Sequence, residues 1–223
     1  MQHLITAMLI ILSLTACDKL KMKKGDFVVK GLGVNFAPYD AGSGKAGDFI
    51  FNAMEDKLFL EFGASVMSPQ GPKELPTFEY RLDPNASVMA IADGKVNRFV
   101  HQPETDDYEI GVISTLDPAF SVVYDHVKNP TIGMGDTLVS GQVLGKPGNW
   151  GPTLGRFEIM INNDSTGRSY CPFVHFDPAL KADYQAKVST LMQDWENFKG
   201  NNAIYNEAAQ VLPGCRYESM VNK

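Results

Sequence analysis

Residues 153–161 read TLGRFEIMI, between GKPGNWGP (145–152) and NNDSTG (162–167). Phe157, Ile159 and Ile161 alternate with Glu158 and Met160. That period of two describes a half-buried strand, and the polar NNDSTG after it reads as a hairpin end. The Gly/Pro-rich stretch before it reads as a loop.

Working outward, FEYRL, SVMAIA, GKVNRFV, YEIGVI, SVVYDHV and TLVSGQVLG lie between residues 78 and 145, each bounded by turn residues. Short strands at such close spacing predict a sandwich or barrel. Upstream, FVVKGLGVNF, FIFNAM and LFLEFGASVM read as further strands and hairpins, and SPQGPKELP (68–76) as a loop. After Cys171 the texture changes. Asp177 and Pro178 form an N-cap and first-turn pair, and Leu180, Tyr184, Val188, Leu191, Trp195 and Phe198 recur every three or four residues up to Gly200. This predicts an amphipathic helix with Trp195 and Phe198 as core contacts, and a shorter helix is expected over 203–212.

The N-terminus reads as an export signal. The apolar run LITAMLIILSL is too short to span a bilayer, and Leu14-Thr15-Ala16-Cys17 matches a bacterial lipobox. The flank before it carries Gln2 and His3 rather than Lys or Arg. Cleavage before Cys17 would leave a lipidated cysteine holding the chain to a membrane on the extracytoplasmic side, facing the periplasm in a Gram-negative cell. Of three cysteines, Cys171 and Cys215 remain, in a compartment that permits disulfides, and are expected to bond. The expected organisation is a signal peptide over 1–16, a lipid-anchored linker over 17–26, a β-rich domain over 27–170 and a disulfide-tethered helical extension over 171–223. A net charge of −6 and a pI near 5.2 give no reason to expect nucleic acid. The one basic run, Lys19, Lys21, Lys23 and Lys24, falls in the linker.

Four pieces in order, SVMAIADGKV, SVVYDHV, IGMGDTLVSGQVLGKPGN and TLGRFEIMI, span Ser87 to Ile161. Together they resemble the lysostaphin-type zinc endopeptidases that cleave peptidoglycan cross-bridges, and their degenerate relatives. The resemblance implies a mainly β, duplicated-hybrid-motif sandwich or barrel core, here with a short C-terminal helical tail. It also implies where a zinc site would stand. Three protein ligands with an open fourth position are needed to activate water. The family's first His and Asp fall on Leu75 and Glu79, and its final His-x-His falls on Leu154 and Arg156. Leucine and arginine do not bind zinc, and Arg156 puts a permanent positive charge where the metal would sit. Only His126 matches a functional histidine of the family.

The resemblance therefore implies no catalytic residue, no metal and no cofactor. It implies a groove lined by Glu79, Tyr124, His126, Trp150, Arg156 and Glu158, able to bind peptidoglycan or a partner cell-wall hydrolase. Three alternatives stand open for Arg156: pairing with Glu79, pairing with Glu158, or pointing into water. Trp150 is either structural or ligand-stacking. The competing reading is an active envelope hydrolase with a displaced metal or a metal-free mechanism, drawing on Glu79, His101, His126 and His175 as acid–base groups. A biotinyl or lipoyl carrier lacks its modifiable hairpin lysine, and neither a phosphate loop nor a serine-hydrolase elbow is present.

Overall fold

The computed structural model describes residues 25–68 and 71–221. The signal peptide, Cys17 and most of the expected linker lie outside the described residues. The long strands are β1 (Phe78–Leu82), β2 (Gly94–Gln102), β3 (Asp107–Ser114), β4 (Phe120–Lys128), β5 (Val143–Trp150) and β6 (Leu154–Asn163). Two short ones, β7 (Arg168–Tyr170) and β8 (Ser219–Val221), complete the far edge. The protein is mainly β, as expected, and these strands pair antiparallel in one large sheet.

The quoted strand, β6, is its axis. Along one edge β6 pairs with β5 at its start and with β4 over the rest; along the other it pairs with β1 and then β7. β2 and β3 extend the sheet beyond β4. NNDSTG turns β6 into β7, with the Asn163 side chain accepting from the Thr166 amide at 3.1 Å.

Strict alternation gives β1 and β6 two distinct faces. On one face an aromatic ladder crosses four neighbouring strands: Phe59 (in the short strand Phe59–Leu60), Tyr80, Phe157 and Tyr124. Successive ring centroids are 5.7, 6.3 and 6.2 Å apart, and the rings are stacked. All four residues are buried, in a hydrophobic core that also takes in Phe49, Phe78 and Phe173. Rings of this size carry a large part of the apolar area withdrawn from water.

The helix α1 (Pro178–Lys199) forms as expected. The Asp177 side chain caps the Ala179 amide, and Gly200 ends the helix in the left-handed region at φ 62°. Val188, Leu191 and Trp195 are buried, whereas Leu180 and Phe198 stay part-exposed at the stripe's edges. Cys171 and Cys215 are bonded, with Cα atoms 6.0 Å apart.

Several expectations are corrected. The C-terminal segment is less an extension than a part of the same body: Val188, Trp195 and Tyr205 join the one core cluster, the Tyr205 hydroxyl donates to the Phe59 carbonyl at 3.1 Å, and β8 pairs with β7. In place of a helix over 203–212 there is a single 3-10 turn, Glu207–Ala209, because the chain is already turning into the Leu212–Cys215 bridge. SPQGPKELP is not all loop, since Gly71–Glu74 pairs with Ser65–Ser68. FVVKGLGVNF contributes one isolated bridge, Val29 to Phe176, rather than a strand. GKPGNWGP is largely strand: β5 runs through Pro147 to Trp150, with Pro147 opposite Val127.

Candidate functional site: a guanidinium-filled cleft

The other face of the same strands carries charge. Register places Glu79 opposite Glu158 and Glu158 opposite Asp125, so three carboxylates stand in a row across β1, β6 and β4. One step along, Arg81 stands opposite Arg156. Like charges thus face each other directly, and the opposite charges meet along each strand and on the diagonal, which offsets their burial.

Arg156 answers the question its sequence position poses by taking both carboxylates at once. Its Nε lies 3.1 Å from Glu79 Oε1, and its Nη2 donates to Glu79 Oε2 at 3.2 Å and to Glu158 Oε1. Arg81 Nη1 pairs with Glu79 Oε1 from the other side. The Arg81 guanidinium also lies over Trp150, its Cζ 3.6 Å from the ring centroid. Trp150 is in turn fixed by donating its indole N–H to Glu55 at 3.1 Å, which makes it a structural platform under the arginines.

Burial disfavours ionisation of Glu79, but Arg81 and Arg156 more than offset it and hold its pKa below the usual carboxylate value. Glu158 behaves oppositely. Burial first, and then the neighbouring Glu79 charge, push its pKa up to about 7, against the pull of Arg156 and His126.

His126 sits at the end of the row, where β4 is interrupted by a bulge between Tyr124 and Val127. Its φ of 59° is a left-handed conformation uncommon for a side-chain-bearing residue. The bulge turns the imidazole so that Nδ1 meets the buried Asp107 Oδ2 at 2.9 Å. Its Nε2 then lies 3.7 Å from Glu158 Oε1 and 3.8 Å from Asp125 Oδ2. Gly148 allows this approach, because a Cβ there would come 2.4 Å from Asp107 Oδ2 and 3.1 Å from the His126 Cβ.

Five of the six groove residues expected from the sequence, Glu79, His126, Trp150, Arg156 and Glu158, are thus brought together. Tyr124 is not. Alternation puts it on the aromatic face opposite Ile159, fully buried, with its hydroxyl accepting from the Ile91 amide at 2.8 Å. His101 is exposed on the β2–β3 hairpin beside Asp106, and His175 sits among Phe27, Phe120 and Tyr170 with burial lowering its pKa. Arg81, Asp107 and Asp125 are the members the sequence reading missed. Arg81 follows Glu79 by two residues on a strand and was accessible from alternation; Asp107 reaches the cleft through the bulge, which leaves no periodic signal.

The zinc site that the resemblance implies does not fit these residues. Leu75 offers no ligand, and the Glu79 carboxylate is engaged by two guanidinium groups. A different trio, Asp125, His126 and Glu158, presents ligand atoms within 4.8 Å of one another, the one such grouping among the described residues. Its Glu158 Oε1 is the oxygen that Arg156 already holds.

No protein-family model and no curated protein matches the chain. Among solved structures it is similar to the catalytic domain of the antimicrobial peptidase lysostaphin from Staphylococcus simulans, at 18% identity, covering 48% of this chain and 78% of that one, with a TM-score of 0.38. It is also similar to Helicobacter pylori Csd3, at 13% identity over 77% of this chain and 43% of that one, TM-score 0.45. A third is a zinc-containing peptidase from Vibrio cholerae, at 14% identity, covering 59% and 37%, TM-score 0.38. The chain spans about half, 48%, of the lysostaphin chain solved in solution. The structural neighbours are thus peptidase domains of the lysostaphin type at low identity, and the site must be argued on its own residues.

Proposed function

We propose that this chain is a non-catalytic cell-envelope lipoprotein that works by binding, either to peptidoglycan or to a partner hydrolase of the cell wall. The observation that carries the reading is the Arg156 guanidinium bound between Glu79 and Glu158. A cation fixed there by two carboxylates occupies the electrostatic role of a metal without offering an open coordination position for water. Anchoring through lipidated Cys17 belongs to the same proposal. No helix among the described residues is long and apolar enough to cross a membrane.

The test is co-sedimentation of the purified chain with isolated sacculi, with soluble fragments assayed in the supernatant. The proposal expects the protein to pellet without releasing fragments. Release that stops on chelation would contradict it. A second reading, an envelope hydrolase with a displaced metal, draws on the Asp125–His126–Glu158 trio, whose histidine is oriented by Asp107 in the way an outer-sphere carboxylate orients a metal ligand. That reading requires Arg156 to be displaced from Glu158, and it expects Arg156→Ala to raise metal affinity.

A further inference from the structure

Beside the arginine cluster the same sheet face opens into a hollow of about 180 Å³, lined by Thr77, Glu109, Val123, Asp125, Glu158 and Met160 among others. The lining follows from register. Val123 stands opposite Met160 in the row next to the one that pairs Asp125 with Glu158. The floor is therefore apolar and one wall is acidic.

The negative charges on that wall are unequally compensated. Glu158 has Arg156, and Glu109 has Arg98. Among the described residues Asp125 receives only neutral donors at hydrogen-bond distance, the Gln102 side chain at 2.7 Å and the His126 amide at 2.8 Å, with the His126 imidazole 3.8 Å away. A second observation points the same way without involving charge: Thr77 is 7% exposed, and its hydroxyl has no hydrogen-bond partner among the described residues. A buried hydroxyl without a partner costs on the order of 1–3 kcal/mol, which a ligand donor or acceptor would recover.

We propose that this hollow is a binding site for a primary ammonium carried on a short unbranched apolar stem, as at the end of a lysine-like side chain. The ammonium would sit on Asp125 within reach of Thr77, and the stem would lie along Val123 and Met160. One water needs about 10–15 Å³ of such volume, so the hollow has room for a short chain of groups of that size. Ammonium has three donors and suits a carboxylate beside a hydroxyl. Lys73, exposed on the rim, is the cation that competes with the ligand. The site deepens the binding reading above and rests on it only for the source of the ammonium, a peptide of the cell wall.

The experiment titrates n-butylammonium into the full chain carrying 13C-methyl methionine, with the Met160 resonance assigned by Met160→Leu. A saturable Met160 shift is expected with n-butylammonium and none with n-butanol, which has the same stem without the charge. Asp125→Asn should weaken binding at least tenfold and Thr77→Val about threefold. Lys73→Gln should tighten it. Val123→Phe, which fills the hollow without touching the charges, should abolish it. Equal shifts with n-butanol, no shift at all, or a response to zinc but not to the amine would overturn the proposal. A chain that answers n-butylammonium yet fails to pellet with sacculi would overturn the peptidoglycan reading and leave the pocket standing. Pelleting without any amine response would do the reverse.

Discussion

The two faces of β1 and β6 are built from alternating residues of the same two strands and hold together by opposite means. On one face Phe59, Tyr80, Phe157 and Tyr124 stack across four strands, all buried. On the other, Glu79, Arg81, Arg156 and Glu158 pair across two of those strands, and Asp125 continues the row on a third. The aromatic face gains from being withdrawn from water. The charged face is only as stable as its pairing, since each buried charge loses hydration that its partners must replace. The aromatic ladder can therefore hold the sheet while the opposite side is free to change chemistry.

The largest expected effect breaks the apolar side. Phe157→Ala removes the ring between Tyr80 and Tyr124 and should cost about 3–5 kcal/mol in urea-induced unfolding. Reducing the Cys171–Cys215 bond, which closes a separation of 44 residues, should cost about 4 kcal/mol by the loop-entropy argument. On the charged side, Arg156→Ala leaves Glu79 and Glu158 facing each other and should cost about 3 kcal/mol. Restoring most of that loss by adding Glu158→Gln would show that the deficit is unpaired charge rather than lost packing.

The pH dependence sharpens the same contrast. Glu79 has a folded pKa below its unfolded value, so its stabilisation is present above the unfolded value, about 4.5, and is lost as pH falls through the folded one. For Glu158 the sign is reversed. Its folded pKa of about 7 exceeds the unfolded 4.5, so between those values the folded chain binds more protons, and stability declines as pH rises through the window. Glu158→Gln should flatten that decline in denaturation curves collected from pH 4.5 to 7, while Phe157→Ala should shift the whole profile without changing its shape. The smallest effect is expected from Trp150→Leu. It removes the platform under Arg81, at a cost of about 1 kcal/mol, readable as a small drop in the denaturation midpoint.

The strand at 153–161 was legible because its period of two is unbroken, and with it came β1 and, for Arg156, three open alternatives of which the structure takes the two carboxylates together. Alternation decided those positions, and it also excludes Tyr124 from the cleft once Asp125 is placed opposite Glu158. What stayed hidden depends on contacts between distant segments. The stretch 145–152 reads as a loop because it is rich in glycine and proline, yet Gly148, and Gly155 on the strand after it, are small because other atoms need the space. Cβ atoms there would fall 2.4 Å from Asp107 Oδ2 and 2.6 Å from Pro147 Cγ. Likewise the bulge that turns His126 toward Asp107 has no local marker, being a property of how β3 and β4 pair. The disulfide was readable by counting; the way the C-terminal segment shares the core was not, because Tyr205 and Trp195 meet Phe59 and Asp56 across more than a hundred residues.

The proposed binding role rests on Arg156 holding Glu79 and Glu158 in place of a metal ion. Elemental analysis of the purified chain after loading with zinc and gel filtration tests it most directly. Far less than one zinc per chain is expected, unchanged by His126→Ala. One zinc per chain, lost in His126→Ala, would contradict it and assign the metal to Asp125, His126 and Glu158.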